Sequence, residues 1–137
     1  MTGVIVVGRH KFTPRQEELM RRAGLKEVAR IQMIENVGDV VEKAKMFGAH
    51  ILVQALPLPL LSQLLSFTRR EGVKVYGFDI QAIETFEGTY EEAKKRAEEL
   101  GADIVVPDPR SGNVRISKTR ALVLFKRITV ESEDVVV

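Results

Sequence analysis

The chain has 137 residues, 45% of them hydrophobic and 29% charged, with a formal net charge of +2. That size and balance fit one folded domain and exclude a disordered segment. There is no cysteine, which excludes disulfides, thiol catalysis and thiolate metal sites, and the two histidines, His10 and His50, are too few for a histidine-rich metal centre.

Val4–Val7 is a short β-branched run, expected as a strand buried on both faces of a parallel sheet. It ends at Gly8-Arg9-His10. Thr13-Pro14-Arg15-Gln16 combines a capping box with proline at the first helical position, and Gly24 ends that helix. A second strand is expected over Val28–Ile34. The next helix opens near Gly38-Asp39, with Asp39 and Glu42 at cap spacing, and closes at Gly48. Ile51–Val53 reads as the third strand, Pro57–Glu71 as the third helix and Val73–Phe78 as the fourth strand. Thr89 and Glu92 form a further capping box, opening a helix that stops at Gly101 before the strand Ile104–Val106.

Strands alternating with single helices predict an α/β domain: a Rossmann-like parallel sheet in flavodoxin-like order, with helices on both faces. The segment Pro107–Asn113 is a dense turn signal. Val114–Ile116 and Ala121–Val130 then read as strands, giving an antiparallel extension or a dimer arm. The expectation is one domain over residues 1–137, with a Rossmann-like core over 1–106 and a strand extension over 107–137. The Val135–Val137 tail needs something to pack against.

The most apolar stretch, Ile51–Leu65, is interrupted by Gln54, Pro57, Pro59, Ser62 and Gln63. It falls short of the ~20 apolar residues of a membrane span. Met1–Val4 lacks a signal-peptide pattern, so a cytoplasmic protein is expected. Abundant Lys, Arg and Glu lean towards a thermophilic source. The small positive excess suits an anionic ligand but does not mark a binder of duplex nucleic acid.

No dinucleotide fingerprint, P-loop, H-E-x-x-H, G-x-S-x-G or EF-hand pattern occurs. No cofactor and no metal are therefore expected. Open parallel sheets bind ligands beyond the carboxyl ends of their strands. Between the first and third strands that rule selects two loops. One holds Gly8, Arg9, His10 and Lys11; the other holds Gln54, Ala55, Leu56 and Pro57. Asp79 follows the fourth strand nearby. Three groups that are or can become cationic, set before a helix N-terminus, suit a phosphate-bearing ligand. Plainer readings stand beside this one. Thr13 and Gln16 serve as a cap, Pro57 starts a helix, and Arg9 and Lys11 are solvated charges. His10 takes either a functional or a turn role, and His50 a structural one.

Val6-Val7-Gly8-Arg9-His10, followed by Gln54-Ala55-Leu56-Pro57-Leu58, resembles a group of small CRISPR-associated proteins with Rossmann-like folds. In that group the first strand ends in Ser-Arg-His or Ser-His and the third in Gly-Thr-Leu-Pro-Val. Some relatives carry Thr-x-x-Gln after the histidine, matched here by Thr13 and Gln16. The likeness spans roughly residues 4 to 80 and rests on short motifs. Gly8 stands where the pattern has serine, and Gln54-Ala55 where it has Gly-Thr.

The resemblance implies a ring nuclease that linearises cyclic oligoadenylates in type III CRISPR immunity, acting as a homodimer without metal. A ribose 2′-hydroxyl would attack its own 3′-phosphate, and the protein would supply in-line geometry and charge stabilisation. His10 would be the acid or base and Arg9 the phosphate clamp, with Lys11, Thr13, Gln16, Gln54 and Asp79 around the ligand. Two other functions stay open. One is a non-catalytic module that sequesters such a nucleotide, consistent with the hydroxyls missing at Gly8 and Ala55. The other is a protein- or nucleic-acid-interaction domain with no small ligand.

Overall fold

A computed structural model describes residues 1–128 and 131–136. It is an α/β fold with the elements β1 (Thr2–Val7), α1 (Pro14–Arg22), β2 (Leu25–Ile31), α2 (Val37–Phe47), β3 (His50–Val53), α3 (Leu58–Glu71), β4 (Val75–Phe86), α4 (Tyr90–Leu100), β5 (Ile104–Pro107) and β6 (Val114–Phe125). One six-stranded sheet runs in the order β2-β1-β3-β4-β6-β5. Pairing is parallel from β2 through β4, and antiparallel at β4–β6 and β5–β6. The sheet is therefore mixed.

The alternation of β1 sends its side chains to two cores. Ile5 and Val7 pack with Val40, Val41 and Ala44 of α2 and Leu61, Leu64 and Leu65 of α3. Val4 and Val6 pack with Met20 of α1 and Leu52 of β3. Val4, Val6, Ile5, Ile51 and Leu52 are all fully buried. Burying each such side chain stabilises the fold by about 1.5–3 kcal/mol. A smaller cluster joins Ala93 and Ala97 of α4 to Val114 and Ile116 of β6.

Several elements differ from the sequence expectation, four of them in ways that matter for the sheet and its caps. β2 spans Leu25–Ile31, directly after Gly24, rather than Val28–Ile34. α2 is capped by Asn36, whose side chain accepts from the Gly38 N–H, and not by Asp39. β4 extends twelve residues, to Phe86, because its second half gains a partner that the local pattern does not reveal. That partner is β6, a single twelve-residue strand where two short ones are expected; the predicted end of the second, Thr129–Val130, lies outside the described residues. β6 sits between β4 and β5. The strand after α4 therefore lies at the sheet edge instead of continuing the parallel run. Val135 and Val136 are exposed, and Val137 lies outside the described residues.

Candidate functional site

β1 and β3 are neighbours, with Val7 opposite Val53, so the loops that follow them emerge side by side. The Gln54 N–H donates to the Val7 carbonyl at 2.9 Å, and the Gly8 N–H to the Ile31 carbonyl at 2.9 Å, carrying both strand ladders into the loop. The Gln54 side chain then grips the loop. Its Oε1 accepts from the His10 N–H at 3.0 Å, and its Nε2 donates to the His10 carbonyl at 2.6 Å.

A residue absent from the sequence reading completes this clamp. The Arg30 Nη1, from β2, donates to the carbonyls of Gly8 at 3.1 Å and His10 at 2.9 Å, and to Gln54 Oε1 at 3.2 Å. Its other nitrogens pair with the Glu27 carboxylate at 2.7 and 3.2 Å, and the guanidinium stands 5.4 Å from the centre of the Phe12 ring. A planar, five-donor group makes such a hub; a lysine cannot. The sequence signal was a lone arginine in a strand.

The backbone of Gly8–His10 is thus fixed, while the side chains of Arg9, His10 and Lys11 stay exposed. They project just ahead of the α1 N-terminus, whose partial positive charge adds to theirs. Gly8 has φ of +144°, and a Cβ there would come within 2.3 Å of Gln54 Oε1. A side chain at position 8 and the glutamine side chain at 54 cannot share this space.

The remaining candidates fall into place around the clamp. Ala55 and Pro57 are exposed, whereas Leu56 packs against the core under α2 and α3. Asp79 lies inside β4, not after it, and its carboxylate is bound by the Arg120 guanidinium of β6. It is beside Phe78, whose ring meets the Phe12 ring edge-on at 6.1 Å. Arg15, in the first turn of α1, reaches the carbonyls of Thr119 and Arg120 at 3.4 Å. The cations Lys118 and Arg120 sit opposite the middle of β4, but Lys126 and Arg127 follow Phe125, which pairs with Val75 at its start. At ~3.3 Å per residue this puts the two groups roughly 20 Å apart, so they do not form one basic face.

Thr13 and Gln16 are occupied in holding α1. They form the expected capping box, with both bonds at 3.2 Å. The Thr13 hydroxyl also donates to Asp103 Oδ2 at 2.6 Å, and Gln16 Nε2 donates to the buried Thr119 hydroxyl at 3.1 Å. Asp103 accepts from the Thr119 N–H at 2.7 Å and its hydroxyl at 2.8 Å. Burial disfavours the Asp103 charge, but these bonds outweigh it and hold the carboxyl below its ordinary value. His50 is structural: its Nδ1 accepts the Lys74 N–H at 3.0 Å, and burial, then the Lys74 charge, lower its pKa.

Two hollows open elsewhere. One of about 230 Å³ lies against Phe12, Glu17, Met20 and Lys26, and one of about 170 Å³ along Ala82–Thr85 and Arg115. Neither is lined by residues 8–11 or 54–57. Among the described residues no group of three or more acidic or histidine side chains is placed to hold a metal ion, and no helix is long and apolar enough to cross a membrane.

No protein-family model matches the chain, and neither does any curated protein or solved structure.

Proposed function

We propose that this protein binds a cyclic oligoadenylate through the β1–α1 loop and opens the ring without metal. The reading treats the parallel strands β2, β1, β3 and β4 as a Rossmann-like core, with the ligand crevice at its carboxyl end. One observation carries it. Gln54 and Arg30 together make four hydrogen bonds to the backbone of Gly8–His10 and a fifth to each other, yet leave three basic or titratable side chains exposed. A turn needed only to join β1 to α1 does not require that hub. A loop presenting cations to a phosphate does, because preorganised charge costs no rearrangement when the ligand arrives.

In this reading Arg9 and Lys11 neutralise phosphate oxygens, and His10 moves the proton between the ribose 2′-hydroxyl and the departing 5′-oxygen. Bond-making and bond-breaking then balance within the nucleotide: the 2′-oxygen attacks phosphorus and the 5′-oxygen leaves. Gln54 and Arg30 act as positioning residues, and Thr13 and Gln16 support the helix. The steric exclusion between positions 8 and 54 fits the resemblance. The motif pattern pairs serine at the first position with glycine at the second, and here glycine at 8 accompanies glutamine at 54. The two departures are thus one compensated exchange.

A second reading, a sequestering module without catalysis, draws on the same exchange. It leaves the loop without the serine hydroxyl, and Ala55 supplies none in its place. Titrating cyclic tetra-adenylate into wild type and an Arg9→Ala/Lys11→Ala variant tests binding. Tight wild-type binding weakened by at least ~30-fold in the variant supports the site, given two lost charge-assisted contacts. Equal affinity in the two proteins rejects it.

A further inference from the structure

β4 is twelve residues long, but β3 pairs only with its first two, Ile51 with Val75 and Leu52 with Tyr76. β6 follows β4 along its other side as far as Phe86. Beyond Gly77, therefore, the β3-side edge of β4 has no strand partner among the described residues. Such an edge offers a row of unpaired N–H and C=O groups, and proteins ordinarily blunt it with lysine, proline or an unneutralised charge.

The run Phe78–Ile83 has none of these. Its one acid, Asp79, is bound by Arg120. The next, Glu84, is held by Arg96 through Nε at 3.1 Å and Nη2 at 3.2 Å. Between them lie four uncharged, exposed residues, Ile80-Gln81-Ala82-Ile83, with Ile80 and Ile83 at 45% and 39% exposure. Two bulges curl the β4–β6 pair. The extra residue of the first is Arg120 on β6, so only Ile83 is an extra residue on β4, and the backbone before it stays regular.

We propose that this edge is a homodimer interface in which two copies pair antiparallel through Phe78–Ile83. Antiparallel pairing is its own two-fold: each strand's donors meet the other's acceptors, so one patch serves both sides. Charge favours a second copy as the occupant. The chain as a whole is 29% charged with a net charge of +2, whereas here both carboxylates are neutralised within the chain. The two-fold sets the Asp79–Arg120 pair of one copy beside the Glu84–Arg96 pair of the other. Each acid then gains a second guanidinium in its neighbourhood, and Ile80 and Ile83 are covered by the partner strand. The result is a continuous sheet of twelve strands.

The test needs no nucleotide and stands apart from the ligand reading. Sedimentation velocity over a concentration series measures the monomer–dimer constant of wild type and of Ile80→Lys/Ile83→Lys. Both side chains are exposed, and circular dichroism and a thermal melt check that the variant is folded. Wild type is expected to dimerise, with the lysines raising the dissociation constant by at least ~30-fold, since like charges then face each other. Amide hydrogen exchange should show Asp79–Ala82 protected in the wild-type dimer and unprotected in the variant. A wild type that is monomeric at high micromolar concentration, or a dimer that the lysines leave intact, overturns the proposal.

Discussion

The Gln54 side chain binds both backbone groups of His10, accepting its N–H and donating to its carbonyl, across forty-four positions of sequence. This reciprocal pair makes the exposed loop a fixed object. Gln54→Ala removes both bonds and strands an Arg30 donor, and is expected to lower stability by about 1–3 kcal/mol in urea denaturation. It should also weaken nucleotide binding by roughly tenfold, because the loop must then be ordered on binding.

Gly8 and Gln54 exclude each other sterically, so their substitutions should couple. Gly8→Ser alone places a Cβ against the Gln54 side chain at positive φ, and should cost about 1–3 kcal/mol. In a Gln54→Gly background the cost should fall by at least ~1 kcal/mol, beyond the scatter of independent sites. Thermal melts of the four proteins measure this. Additive effects would show that the two positions do not meet.

Asp103 ties three elements together, through Thr13 before α1 and through Thr119 in β6. Its folded-state carboxyl lies below the ordinary 3.8, so its stabilisation is complete above that value and is lost as pH falls through the lower, folded-state one. Asp103→Asn keeps the shape but cannot accept all three bonds. It should reduce stability by about 2–3 kcal/mol at pH 7 and by much less near pH 2. Urea midpoints at the two pH values check both halves.

His50 gives the opposite residue type and the same direction. The fold favours its neutral form, because burial and then the Lys74 charge oppose protonation, which would also remove the acceptor that meets the Lys74 N–H. With the folded-state pKa below the ordinary 6.5, that contribution is full above 6.5 and fades as pH falls below it. His50→Asn, which keeps an acceptor but cannot titrate, should flatten the stability profile between pH 7 and 5. An unchanged profile would show that the slope arises elsewhere.

The parallel strands were legible where burial on both faces made continuous β-branched runs, as at Val4–Val7 and Ile51–Val53. Two helix starts were legible from their caps, Thr13 with Gln16 and Thr89 with Glu92. What escaped was long-range. The outer half of β4, Ile80–Phe86, mixes apolar and polar residues without a continuous buried run, and it is a strand because β6 pairs with it. Arg30 and Asp103 escaped for the same reason, since their partners lie in distant segments and leave no local pattern. The loops 8–11 and 54–57 were selected by strand order, and the structure brings them together. Thr13 and Gln16, also named as ligand contacts, have their polar groups engaged within the fold.

The measurement that bears most directly on the proposed function is incubation of the protein with cyclic tetra-adenylate in the presence of a chelator. Chromatography would resolve the ring from its linear products, for wild type and for His10→Ala. The account predicts metal-independent ring opening by wild type and a loss of at least ~100-fold in the single-turnover rate for His10→Ala, with binding largely retained. A wild type that neither binds nor cleaves the ring, or a His10→Ala variant as fast as wild type, would contradict it.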